Sequence, residues 1–199
     1  MKKSLFRLIA VISVLMLVVC CGNRRSKKAE APAVVNNDVV ETCFTAVEKY
    51  LIDSIATHYA ASEFCIPFQD YAAVDESDPE DIVILGDFWV INYDQAGDTL
   101  KAVSGGNHPG KMHVKKDADG HFTVTAFEPV GDGSNFEPSA RALFGDKYDA
   151  LMAAHADDVA RASVRTAAVS AYVNAHDLPV RFYQDYGWPA VELPEVEDN

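Results

Sequence analysis

Residues 82–93 are apolar at every position except Gly86, Asp87 and Asn92. A half-wet strand alternates apolar and polar side chains, whereas a run like this reads as a strand covered on both faces. Any fold for the chain must therefore set this strand in the middle of a sheet and cover it twice. It opens a stretch, residues 81–130, that alone reads as successive strands joined by short turns, so the remaining segments must pack on it.

Turn length decides which side chains share a face. A four-residue loop over 94–97 sets Ile91 opposite Leu100 and Trp89 opposite Ala102, with Phe88 and Val103 on the other face. For the hairpin of 111–117 with 121–128, a two-residue turn at Asp119 and Gly120 would mix polar and apolar residues on both faces. A three-residue loop over 118–120 avoids this. It sets Val114 opposite Val124 and Met112 opposite Ala126, leaves His113 and Thr125 outside, and puts Gly120 at the left-handed bulge position. Gly86 suggests a bulge or bend, which would curve the sheet into a hollow. Residues 104–110 hold Gly105, Gly106, Pro109 and Gly110, and so many breakers read as a loop.

Ahead of the sheet, Asp38 and Glu41 have capping-box spacing, and Val40, Cys43, Phe44, Val47, Tyr50, Leu51 and Ile55 recur at helical spacing over 39–59. Residues 63–74, interrupted by Pro67, read as an edge strand or irregular connection, and 75–81 as an acidic turn. After the sheet, Pro138 suits the first turn of a short helix that Gly145 ends. Asp146 caps another helix with Tyr148, Leu151 and Met152 inward. Asp157 and Asp158 begin a longer one with a thin face of Ala160, Val164, Ala167, Ala168, Ala171 and Tyr172, stopped by His176 and Pro179. Phe182, Tyr183, Tyr186 and Trp188 make residues 180–193 too aromatic for a free end, so this tail is expected to dock on the body. The fold class is α+β, with an N-terminal helix packed on a curved antiparallel β-sheet and C-terminal helices.

The first residues read as a processing signal, with Lys2, Lys3 and Arg7 before an apolar run, 8–20, too short to span a bilayer. Its end, Leu17, Val18, Val19, Cys20, Cys21 and Gly22, resembles the lipobox of bacterial lipoproteins, whose cysteine is acylated and becomes the new N-terminus. That family prefers a small residue before the acylated cysteine, which favours Cys21; Cys20, three residues after Leu17, is the alternative. The resemblance implies a lipid anchor in the cell envelope, at the outer membrane facing the periplasm. Residues 1–21 are then signal and lipobox, 22–37 a basic, proline-containing tether, and 38–199 one α+β domain of roughly 160 residues, enough for a single core. The tether's Arg24, Arg25, Lys27 and Lys28 suit anionic headgroups. Residues 38–199 carry 29 of the 30 acidic residues and 10 of the 17 basic ones, which argues against nucleic acid as a partner.

Helix followed by curved antiparallel sheet is also similar to cystatin-like and nuclear-transport-factor-like domains. Motifs within 87–92, 97–100, 103–106, 131–134 and 183–188 resemble landmarks of an uncharacterised bacterial lipoprotein group. That group implies no activity, and such folds host enzymes and binding modules alike.

No nucleophile elbow, phosphate loop, helical histidine pair or, beyond the adjacent Cys20 and Cys21, close cysteine pair occurs in the chain, and nothing in it calls for a cofactor or metal. Ser104 between strands has no base placed beside it. Asp75, Glu76, Asp78, Glu80 and Asp81 lack the glycine and terminal glutamate of a calcium loop, and His108, His113 and His121 do not converge. Cys43 and Cys65 remain after processing, in a compartment that permits a disulfide, although Cys43 equally fits the buried helix face. Two readings follow. One is a non-catalytic module that binds a small apolar ligand or an envelope protein, its hollow lined by Trp89, Tyr93 and His113. The other is a small hydrolase or isomerase using an acid or histidine in that hollow.

Overall fold

The structure, a computed structural model, describes residues 37–78 and 80–194. Helix α1 (Asn37–Tyr50) precedes strands β1 (Phe64–Asp75), β2 (Ile82–Ala96), β3 (Thr99–Lys116) and β4 (Phe122–Pro129). Helices α2 (Phe136–Phe144), α3 (Tyr148–Ala156) and α4 (Asp158–Ala175) follow, then strands β5 (Phe182–Gln184) and β6 (Val191–Glu192). One curled sheet holds all six strands in the order β1-β2-β3-β5-β6, with β4 also pairing β3. The fold is α+β, β2 lies between two neighbours, and the proline-interrupted β1 is an edge. The sheet is not wholly antiparallel, because β5 runs parallel to β3. Three helices separate β4 from β5, and a long crossover of that kind is what a parallel neighbour needs.

Two bulges revise the expected registers. The turn between β2 and β3 is only Gly97 and Asp98, so Tyr93, and not Trp89, faces Ala102. The ladder then skips Val103, which sets Ile91 against Gly105 and Trp89 against Asn107. In the next hairpin Val114 does face Val124, but Thr125 is skipped, so His113 pairs with Ala126 and Met112 with Phe127. That shift turns Phe127 inward, where it meets Phe88 edge-on with centroids 5.8 Å apart.

Residues 104–110, expected as a loop, run through the centre of β3. Glycine is required here for close approach: a Cβ on Gly105 would lie 2.1 Å from the Val90 carbonyl oxygen. The bend expected at Gly86 falls on its partner strand, where the ladder slips between Tyr71 and Ala73. A Cβ on Gly86 would come within 2.8 Å of the Asp70 carbonyl oxygen.

The two faces of the sheet have different covers. On one, α1 and a π-helical turn (Leu51–Ile55) that continues it bury Cys43, Val47, Leu51 and Ile55, spaced by four. They pack on Ile82, Ile84, Phe88, Val90, Met112 and Val114. On the other, α2 and α3 cover one end through Ala140, Phe144, Tyr148 and Leu151. Helix α4 covers the other end through Val169 and Val173, against Ile66, Phe68, Ile91, Tyr93 and Leu100. Its buried side is rotated from the expected alanine stripe: Ala160, Ala167 and Ala171 are exposed. Met152, expected inward, is also exposed. Asp157 caps α4, its Oδ1 accepting from the Ala160 amide at 2.9 Å. The tail docks as expected through Val180, Tyr183 and Leu193.

Candidate functional site

A polar seam divides the α4 face between its two apolar clusters. Asp87 on β2, almost fully buried, lies directly opposite Asp70 on β1. Its Oδ1 accepts from Asn107 Nδ2 at 3.4 Å, and its Oδ2 lies 3.7 Å from His155 Nε2 on α3. Burial pushes the Asp87 pKa above its ordinary 3.8, against the pull of His155, a Trp89 side-chain hydrogen bond, Asn107 and Arg161. The buried His155 Nε2 has no hydrogen-bond partner among the described residues. Arg161 of α4 closes the seam: its guanidinium donates to the carbonyls of Ala154 and His155, pairs with Asp158 and lies 5.7 Å from the Trp89 ring centre. The space left between Phe68, Asp87, Trp89, Arg161 and Val164 is about 10 Å³, room for about one water.

The three residues expected to line a hollow are not brought together. Trp89 stacks on Phe68, centroids 5.5 Å apart, under Arg161. Tyr93 is fully buried and its hydroxyl accepts from Arg165 Nε at 2.9 Å; desolvation pushes its pKa up to about 12. His113 pairs with Val83, six residues along β2 from Trp89 and so roughly 20 Å away. There its Nδ1 meets Asp81 at 2.9 Å and its Nε2 meets Glu128 at 3.0 Å, and these bonds hold its pKa above 6.5. Two features keep them apart: Arg161 and Arg165 of α4, where small side chains were expected, fill the space over Trp89 and Tyr93, and His113 lies far along the strand from both.

Arg165 also sets up the most exposed aromatic feature of the domain. It forks onto Asp185 with two bonds of 2.6 Å and lies over the Tyr183 ring. Asp185 opens the turn between β5 and β6, where the Trp188 amide donates to the Asp185 carbonyl at 3.1 Å. Gln184 Nε2 donates to the Trp188 carbonyl at 2.8 Å. The turn is braced, yet Tyr186 is 97% and Trp188 71% exposed. Their aromatic character suggested docking on the body, whereas only Tyr183 of the four aromatics is buried.

Cys43 and Cys65 are both free thiols. Cys43 is buried on the sheet-facing side of α1, which pushes its pKa up to about 11. Ser104 donates to the Ala60 carbonyl and accepts from Asn92 Nδ2, a joint between β2, β3 and the segment after α1. The lipidation candidates Cys20 and Cys21 and the basic tether lie outside the described residues. Of the seam, Asp87 was visible in the sequence as a charge inside an apolar run. His155 carried no signal, since nothing in the order of residues brings α3 over that point of β2. No family model, curated protein or solved structure matches the chain.

Proposed function

We propose that the protein is a lipid-anchored cell-envelope module that acts without catalysis, by holding a partner protein on its surface. The observation that supports this most is a contrast in access. The space beside Trp89 under α4 has room for about one water, while Tyr186 and Trp188 stand in solvent on a turn held by Arg165, Asp185 and Gln184. Rigidly presented Trp and Tyr side chains are the residues on which interfaces concentrate their energy, because little entropy is lost on contact. The lipid anchor rests on the lipobox-like residues 17–22.

Two measurements test the reading. Mass spectrometry of the mature N-terminus is expected to find acylated Cys21; acylated Cys20 would move the site by one residue, and an unmodified N-terminus further on would end the lipoprotein reading. A photo-cross-linking amino acid at position 188 in cells is expected to give one discrete protein adduct that Tyr186→Ser abolishes. No adduct, or one indifferent to position 186, would overturn the interaction module.

The second reading, a small envelope enzyme, is favoured by one observation, the buried Asp87 carboxylate 3.7 Å from an unpaired His155 nitrogen. Substrate would reach that pair only if α3 or α4 moved. If Asp87→Asn reproduces the cellular phenotype of a deletion while Tyr186→Ser with Trp188→Ser complements it, the enzyme reading takes over.

A further inference from the structure

Strand β3 is 18 residues long, and β2 occupies one of its edges from Thr99 to Val114. Its other edge has two separate neighbours. β5 pairs only with Thr99, Leu100 and Lys101, and β4 only from Gly110 onward, extended by a Val130 amide bond to the Pro109 carbonyl. Between them, residues 102–108 have no strand on that edge. Among the described residues no hydrogen bond outside the β2 ladder reaches their backbone. Seven residues of strand span roughly 23 Å. Gly105 and Gly106 lie in this stretch, half-buried and without side chains to screen the backbone, beside Val103, an exposed apolar residue at 48%.

The braced aromatic turn stands at one end of this gap. β5 runs parallel to β3 and leaves it after Gln184 pairs with Lys101, so Asp185, Tyr186 and Trp188 follow where a continued strand would have met Ala102 and Val103. The open edge and the exposed aromatics, two independent features, therefore adjoin.

We propose that this gap binds an extended segment of a partner polypeptide by strand addition, with Tyr186, Trp188 and Val103 gripping its side chains. The inference rests on the reading of the protein as an interaction module and names the form of its partner. Strand addition satisfies the alternate N–H and C=O groups that an open edge leaves to water. The gap lies between two strands on the same edge, so it admits one isolated strand and excludes the edge of a second sheet. That geometry argues against a symmetric pair of these domains joined edge to edge. The charge of residues 38–199, with 29 acidic against 10 basic residues, selects against acidic segments and favours neutral or basic ones.

The test is selection of a displayed library of random linear nonapeptides on the full chain, followed by amide hydrogen exchange with an enriched peptide made synthetically. In the free protein, alternate amides within 102–108 are expected to exchange fast beside protected neighbours, and the peptide is expected to slow them at least tenfold. Methylating alternate backbone nitrogens of the peptide is expected to weaken binding at least tenfold, which side-chain docking alone would not do. Tyr186→Ser with Trp188→Ser is expected to weaken it about tenfold without changing the exchange of the β2 amides. Failure to enrich any peptide overturns the proposal, as does equal binding by the methylated peptide. Protection of 102–108 already present in the free chain, or protection that grows with protein concentration, overturns it in favour of the chain's own terminal segments or a second copy. Protection at the aromatic turn but not along β3 sinks strand addition and leaves the interaction module standing; absence of the cross-link at position 188, or one indifferent to position 186, ends both.

Discussion

The two faces of the sheet solve the same problem with different chemistry. Beneath α1, side chains spaced by four meet Ile82, Ile84, Phe88 and Val90 in one continuous apolar layer. Under α3 and α4 the cover is split, with Asp87, His155 and Arg161 between two separate clusters and Arg165 joining Tyr93 to Asp185. One face is held by non-directional burial, which asks only that apolar side chains meet. The other depends on polar groups that must meet their partners, because each left unpaired in the interior carries the full desolvation penalty. That is why a helix with so thin an apolar stripe as α4 can cover half a face: its arginines do part of the closing.

If burial dominates the α1 face, Phe88→Ala should have the largest effect, lowering stability by about 3–5 kcal/mol in denaturant titration. A loss under about 1 kcal/mol would show that the layer repacks freely. On the other face, Arg165→Met should cost about 2–3 kcal/mol, less than a fully buried pair because Asp185 keeps part of its surface in water. Adding Asp185→Ala should restore part of that loss, and strict additivity of the two changes would deny the coupling.

The contrast has one exception that can be removed. Gln69, buried on the α1 face opposite Phe88, has both side-chain polar atoms without partners among the described residues. Gln69→Leu should therefore raise stability by about 1–2 kcal/mol, and destabilisation would mean that the amide is satisfied in solution.

The polar face should also show itself in pH dependence. Burial raises the Asp87 pKa, so the folded state binds a proton before the unfolded state does. Relative to Asp87→Asn, the native protein should gain stability as pH falls through the folded pKa, with the gain complete below the ordinary 3.8. A difference between the two proteins that is flat with pH would contradict this. The smallest effect is expected at His113, whose pKa is raised by Glu128 and Asp81. Its contribution, no more than about 1 kcal/mol, is full below pH 6.5 and lost as pH rises through the folded value. His113→Gln should abolish that step in a series of melts from pH 6 to 9.

The candidate site was legible only in fragments. Asp87 stood out as a carboxylate in an apolar run, but its environment is set by His155 and Arg161, which lie on helices far along the chain. Tyr93 and Trp89 looked like the walls of a pocket because an apolar face with no assigned cover looks like a space. Arginines 161 and 165, which fill that space, carried the ordinary signature of a solvated helix face. The glycines of β3 misled for a different reason. Gly105 reads as a breaker in isolation, and only the Val90 carbonyl beside it shows that the absent side chain is what allows the strand to pass.

By itself the sequence determined the local and periodic parts of this protein: the helix with its stripe of Cys43, Val47, Leu51 and Ile55, the central strand covered on both sides, and the three-residue loop ending at Gly120. Each follows from a repeat or a turn whose physics acts over a few residues. The tertiary structure decided where Thr125 and Val103 are skipped, which side of α4 faces inward, the meeting of His155 with Asp87, and the open edge of β3 beside the aromatic turn. Those depend on the fit of elements far apart in the chain, and a pattern of apolar and polar residues records that a face must be buried without recording what it is buried against.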